Sequence, residues 1–280
     1  MCGLKIFCRC SMSDCYYTKS YTIDEGNYDG VVECTYVLLM ENSKREEQIL
    51  QQIEEAKITR RVVIQYNKGY KKCEKDLRVN KPNYDLEDAV KNVFKHALSQ
   101  GYSRIVVLED DCEFDERIRD PIVVNDLRTF LERRDPKIYN LGTSISLTSP
   151  FDVLLHNKNQ RLLYTTCAHA VIYSREYMES AVNRDYMLGH VDFEHNRTWS
   201  KYTYTYPLAY QKFTDTENKK EGWGYIGNFL DYILFKPMKL DTQVQPGFDR
   251  IKLICDYVSI VLFLLLLFYL IRIKNYLSKK

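Results

Sequence analysis

Three consecutive carboxylates, Glu109, Asp110 and Asp111, end an apolar, β-branched run from Ile105 to Leu108. Such a run reads as a buried strand. Carboxylates crowded at a strand's exit repel one another unless a cation sits among them. Hard divalent cations such as Mn2+ and Mg2+ take oxygen ligands, commonly one or two carboxylates plus substrate phosphates. The cluster therefore points to an enzyme that handles a phosphorylated donor through a metal. A strand running into a solvated acidic turn is the plain alternative. A second polar group, His190, Asp192, Glu194 and His195, lies downstream and is followed by the aromatic run Tyr202, Tyr204, Tyr206 and Tyr210.

The elements that must position these residues alternate. Thr35 to Met40 reads as a buried strand. Ser43, with Glu46 three residues later, forms a capping box for a helix through Ile49, Ile53 and Ala56. Arg61 to Tyr66 is a second strand, followed by Lys68, Lys71, Lys72 and Lys75. Asp85 to Gln100 is a helix with Leu86, Ala89, Val90, Val93, Phe94, Ala97 and Leu98 on one face, and Gly101 stands at its C-cap. The strand ending in Glu109 to Asp111 comes next. This β-α-β-α-β order with continuously apolar strands predicts an α/β fold with a mostly parallel central sheet. In such sheets ligands collect at the carboxyl ends of the strands, where the acidic cluster stands. Further on, Ile122 to Arg133 reads as a helix, Ile138 to Leu141 as a short strand, Leu162 to Tyr173 as one strand and Arg175 to Asn183 as a helix. The spacing of the tyrosines fits an edge strand better than a platform for bases or sugars.

In this order the chain resembles glycosyltransferase family 25 and related sugar transferases of the GT-A type, which occur in cell-surface biosynthesis and in large DNA viruses. The resemblance rests on the stretch from Tyr36 to Ile49 with Arg45, on the segment Ala97 to Phe114 that contains Leu108-Glu-Asp-Asp111, on Ala170 to Tyr177, on Val191-Asp192, and on Pro207 to Gln211. It covers about residues 34–213. The family's Ser-His step before the LEDD element is absent; that region reads Asn83 to Asp88. The resemblance implies a GT-A-like single domain that moves a sugar from a nucleotide-diphospho-sugar to a hydroxyl of a protein, lipid or glycan. It implies Mn2+ or Mg2+ at a D-x-D-like pair, with Asp111 as a direct ligand and Glu109 facing the nucleotide or a metal-bound water. Asp110 could take either role. A strand alternates its faces, so Glu109 and Asp111 point one way and Asp110 the other. Inverting transfer also needs a carboxylate to deprotonate the acceptor. Asp192 and Glu194, on one side of a short extended segment, are the candidates, Asp192 first. His190 or His195 would complete the metal shell, and Lys71 and Lys72 are candidates for phosphate contacts. The alternative is a non-catalytic membrane adaptor that keeps a transferase-like fold.

Charge and cysteines bound the rest. The formal charge is +2, from 40 basic and 38 acidic side chains, which gives no electrostatic case for nucleic acid as a partner. The chain has no Walker A, G-x-G-x-x-G, H-E-x-x-H or G-x-S-x-G motif. Nine cysteines include no C-x-x-C pair, so free thiols in a reducing compartment are expected.

Leu253 to Ile271 is predominantly apolar, and Asp256 is its one charged residue. About 19 residues at ~1.5 Å each reach roughly 28 Å, close to a bilayer's hydrocarbon thickness. The expected organisation is a loose lead-in or an edge hairpin over residues 1–30, a transferase-like domain over 31–213, an extension over 214–252 with a Gly-rich loop at Gly222 to Gly227, a transmembrane helix over 253–271, and a basic tail over 272–280. The basic tail favours a luminal body by the positive-inside rule. The first fourteen residues hold no run of signal-peptide length, which favours a cytosolic body. The cytosolic orientation is the expectation. Asn196-Arg-Thr198 is a glycosylation sequon usable only in a luminal body.

Overall fold

The structure is a computed structural model, and it describes residues 5–13, 15–185, 188–212 and 228–278. In chain order its elements are β1 (Lys5–Ser13), β2 (Tyr16–Thr22), β3 (Cys34–Met40), α1 (Glu46–Ala56), β4 (Arg61–Asn67), α2 (Pro82–Ser99), β5 (Arg104–Glu109), β6 (Cys112–Phe114), α3 (Pro121–Arg134), β7 (Ile138–Asn140), β8 (Ser146–Thr148), α4 (Pro150–Leu154), β9 (Asn159–Thr165), β10 (Ala170–Ser174), α5 (Arg175–Val182), α6 (Val191–His195), β11 (Lys201–Tyr204), β12 (Ala209–Gln211) and α7 (Gly247–Leu277). The expected Gly222 to Gly227 loop lies outside the described residues.

The fold is mixed α/β around a sheet in the order β1-β2-β4-β3-β5-β10-β7-β11-β9-β8. Its centre is the expected parallel unit: β3 pairs with β4 and with β5 in parallel register. β7 and β11 are also parallel. The flanking pairs are antiparallel, so the sheet is mixed. Alternation along the central strands sorts their side chains onto two covered faces. Val37, Leu39, Val62, Ile64, Val106 and Leu108 meet Ile49 and Ile53 of α1 and Leu127 and Leu131 of α3. Tyr36, Leu38, Val63, Ile105 and Val107 meet Val93, Phe94 and Ala97 of α2 and Met178 of α5. Burial on both faces is why these strands read as continuous apolar runs.

Three local expectations are corrected. Ser43 does not cap α1. The helix starts at Glu46, and the Ser43 hydroxyl accepts from the Arg45 amide (3.2 Å) while donating to Asp110 Oδ2 (2.9 Å). The segment from Leu162 to Tyr173 is two strands, because the chain turns through Cys167 at φ 67° between β9 and β10. The tyrosine run is not an edge: β11 lies between β7 and β9, and Tyr202, Tyr204 and Tyr210 are buried. Residues 5–13 and 16–22 form an edge hairpin on β4, one of the two forms expected for the first thirty residues.

Cysteine usage also differs from expectation. Cys15 and Cys73 form a disulfide that ties β2 to the loop after β4, while Cys34, Cys112, Cys167 and Cys255 are free thiols. Lys75, at the base of that loop, is a structural cation. Its Nζ pairs with Asp85 (2.5 Å) and donates to Asn67 (2.7 Å) and Tyr16 (2.7 Å).

The C-terminal helix α7 has the length and composition to cross a membrane. It begins six residues before the expected span, and its first turns belong to the body. Phe248, Ile251 and Cys255 pack with Tyr210, Phe235 and Leu240. Lys252 is buried, donating to Gln160 (2.9 Å) and pairing with Asp256 (2.6 Å). From Val261 to Ile271 the helix is almost wholly exposed apolar surface.

Candidate functional site

A cleft of about 660 Å³ opens at the carboxyl ends of β3, β4 and β5. Its walls are the segments that leave those strands, 40–45, 67–72 and 109–111, together with the start of α2 and the 167–168 turn. Its far side is formed by 190–192 and 211–212. Parallel register puts these exits side by side, which is why residues distant in sequence meet there.

Glu109 ends β5, and Asp110 and Asp111 lie in the turn beyond it. The two aspartates separate as expected, but partners rather than strand alternation fix their directions. Asp110 is held by Ser43 and by Arg45 Nη1 at 3.1 Å. Asp111 and Glu109 share a different neighbour, Gln211. Its Nε2 donates to Asp111 Oδ2 (3.2 Å) and reaches Glu109 Oε2 at 3.5 Å. Antiparallel pairing of β12 with β6 sets Gln211 opposite Cys112 and so beside Asp111. Arg45 stands 3.9 Å from Asp111 and supplies part of the countercharge.

Three of the carboxyls sit uneasily in this setting. Burial, then the charges of Asp111, Asp192 and Asp110, hold Glu109 well above the ordinary carboxyl range. Burial and the nearby Asp110 push Asp111 up to about 6, against the pull of Gln211 and Arg45. Burial pushes Asp192 up to about 6 as well, opposed by a hydrogen bond from the Cys167 amide. Asp192 thus joins Glu109 and Asp111 across the cleft, though it comes from α6, more than eighty residues along the chain.

Glu194 and His195 do not join them. The segment is a helical turn rather than an extended one, so positions 192 and 194 face different sides. Glu194 is buried in ion pairs with Arg184 and with Arg197 (3.4 Å). His195 is buried, and its Nε2 meets the Tyr173 hydroxyl at 2.8 Å. Burial pushes that imidazole down to about 3, which keeps it neutral. His190 does line the cleft, with the Asn83 amide donating to its Nε2 at 3.3 Å, and burial lowers its basicity.

The opposite rim is cationic. Lys44, Arg45, Lys68, Lys71, Lys72 and Lys212 line the cleft around the acidic floor. Two lining residues carried no sequence signal. Cys167 turns the chain beside Asp192, and Asn67 lies at the end of β4, where its side chain receives Lys75. The Asn196 side chain is taken up by the fold, accepting from the Thr165 amide (2.9 Å) and donating to the carbonyls of Thr165 (2.7 Å) and Asp192 (2.9 Å).

The donors fit a hard cation of limited protein ligation. The gathered groups are carboxylate oxygens under mutual repulsion. Among the described residues, no group of three or more His, Cys, Asp and Glu side chains is drawn together as a metal cage. An ion here would take two protein carboxylates and complete its shell with phosphate and water oxygens.

No family model matches the chain, and no curated protein does. Fifteen solved chains match it. They include the crystal structure of A197 from STIV, 13% identical, covering 66% of this chain and 87% of that chain, with a TM-score of 0.38. A likeness of that degree carries no argument about activity.

Proposed function

We propose that the chain is a membrane-anchored, metal-dependent glycosyltransferase of GT-A type. It would move a sugar from a nucleotide-diphospho-sugar to a hydroxyl on a protein, lipid or glycan. The observation that carries this reading is the union of Glu109, Asp111 and Asp192 in one cleft, with raised proton affinity and a rim of lysines and Arg45. Buried carboxylates with raised proton affinity suit a site completed by a ligand that brings a cation.

In this reading Glu109 and Asp111 hold Mn2+ or Mg2+. When bound, that ion neutralises the charge developing on the diphosphate leaving group. Lys68, Lys71 and Lys72 draw the phosphates to the β4 side of the cleft. Asp192 accepts the proton of the acceptor hydroxyl as that oxygen attacks the sugar's anomeric carbon and the bond from that carbon to the diphosphate oxygen breaks. A carboxylate titrating near 6 is a stronger base than an ordinary one and is still ionised at neutral pH. Glu194 has no part in the chemistry, because its charge is committed to Arg184 and Arg197.

The Cys15–Cys73 bond supports a body facing an oxidising compartment, with the tail from Arg272 on the cytosolic side. That reverses the sequence-based preference for a cytosolic body. Turnover of a nucleotide-sugar by the wild type, and its loss in Asp111→Asn with the fold intact, is the test of the reading. Full activity in that variant would remove Asp111 from the site.

A further inference from the structure

The helix α4 is five residues long and sits beside the anchor, away from the cleft. Its outward surface is apolar: Phe151 is 60% exposed, Leu154 55% and Leu155 71%. Exposure of three large neighbouring apolar side chains marks a surface that meets a partner or a membrane. The packing of α4 points to the second. The Phe151 ring lies edge-on against Phe263 of α7, with centroids 5.1 Å apart. Just before α4, the Thr148 amide donates to the Ser259 hydroxyl at 3.0 Å.

Depth along α7 follows from helix geometry. The stretch without a charged residue runs from Tyr257 to Ile271. Phe263 lies six residues into it, about 9 Å along the axis at ~1.5 Å per residue. Because Phe151 touches Phe263, the tip of α4 stands at that same level.

The backbone of this tip meets the requirement for a lipid environment, where amides need internal partners. The Asp152 amide donates to Ser149 Oγ (3.4 Å), Val153 to the Ser149 carbonyl (3.1 Å), Leu155 to Phe151 (3.0 Å), His156 to Val153 (3.1 Å) and Asn157 to Asp152 (2.9 Å). The Asp152 carboxylate accepts from Asn157 Nδ2 (2.7 Å) and from the Arg161 amide (3.0 Å). Polar character returns at His156, Asn157 and Lys158.

We propose that Phe151, Leu154 and Leu155 insert into the acyl region of the bilayer beside α7. The anchor then has two points of entry, which would hold the body at a fixed tilt. This inference rests on α7 being a membrane span, and the experiment separates the two.

Full-length protein is reconstituted into phosphatidylcholine vesicles after thiol labelling of Leu154→Cys, Leu262→Cys or Trp199→Cys with an environment-sensitive fluorophore, and the wild type labelled in the same way supplies the signal of the native thiols to be subtracted. Emission is compared with and without lipids brominated on the acyl chains. The proposal expects quenching at 154 and 262 and none at 199. Quenching at 262 alone leaves the anchor standing and overturns the insertion of α4. Absence of quenching at both 154 and 262 overturns the anchor, and the proposal with it. Quenching at all three sites overturns the localised insertion of α4, since the bilayer would then cover the body generally.

Discussion

The amide nitrogen of Gln211 lies 3.2 Å from Asp111 Oδ2 and 3.5 Å from Glu109 Oε2. A neutral donor therefore stands between two carboxylates that burial and mutual repulsion have both driven toward the protonated form. The amide offsets part of that repulsion without supplying a full charge.

Replacing Asp111 with Asn should stabilise the ligand-free protein. The shift of Asp111 to about 6 from an ordinary value near 4 corresponds to ~3 kcal/mol at neutral pH. Chemical denaturation of the full chain in detergent at neutral pH checks it. A less stable variant would mean that the carboxylate is a net structural contributor, as in an ordinary ion pair with Arg45.

The same shifts fix a pH dependence. The folded state holds protons on Asp111 and Asp192 up to about 6, whereas the unfolded chain releases them near 4. Between these values the folded state binds more protons, so these groups lower stability as pH rises through that window. Thermal melts should show the ligand-free protein losing stability from about pH 4 to about pH 6.5, with a smaller loss in Asp111→Asn. Mn2+ should restore stability most at the high end. A melting temperature that falls equally in both proteins would exclude Asp111 as a cause.

Asp192 and Glu194 should behave oppositely. Asp192→Asn should keep or raise stability and lose transfer. Glu194→Gln should cost about 3 kcal/mol, because it strips Arg184 of its buried partner. Paired denaturation and activity measurements distinguish them, and loss of transfer in a stable Glu194→Gln protein would reassign the base.

Breaking the disulfide should destabilise the loop that carries the lysine rim. Closure of a 58-residue separation corresponds to about 4 kcal/mol in the chain-entropy model. Cys15→Ser should lower the melting temperature and weaken donor binding together. In sealed membrane vesicles with the luminal side enclosed, Cys15 and Cys73 should resist alkylation until reduced, and the body should resist external protease. Ready alkylation of both without reductant, with digestion of the body, would put it in the cytosol.

The parallel unit was legible because its strands are covered on both faces, which leaves continuous apolar runs at Thr35 to Met40 and Ile105 to Leu108. The acidic exit was legible for the same reason, since it breaks such a run abruptly. Direction was harder to read. Asp192 and Glu194 look alike at a spacing of two, and a five-residue helix rather than a strand separates their roles. The turn at Cys167 is hidden because neighbouring β9 and β10 are both strand-like in composition. The Cys15–Cys73 pair is hidden because only the sheet brings together residues that far apart. Likewise, the boundary between body and anchor is blurred: Phe248, Ile251 and Cys255 are apolar for the core, not for lipid.

That last point decides which protein should be assayed. Truncation ahead of residue 253 would remove Cys255 and Ser259, which the body uses. The most direct measurement is a nucleotide-sugar screen on the full chain in detergent, with and without Mn2+, reading thermal stabilisation and sugar release. A ligand that binds the native state alone must raise its stability. The account predicts metal-dependent stabilisation and turnover with one nucleotide-diphospho-sugar, both lost in Asp111→Asn. A folded wild type that no donor stabilises or turns over, with or without metal, would contradict it and leave a non-catalytic membrane adaptor.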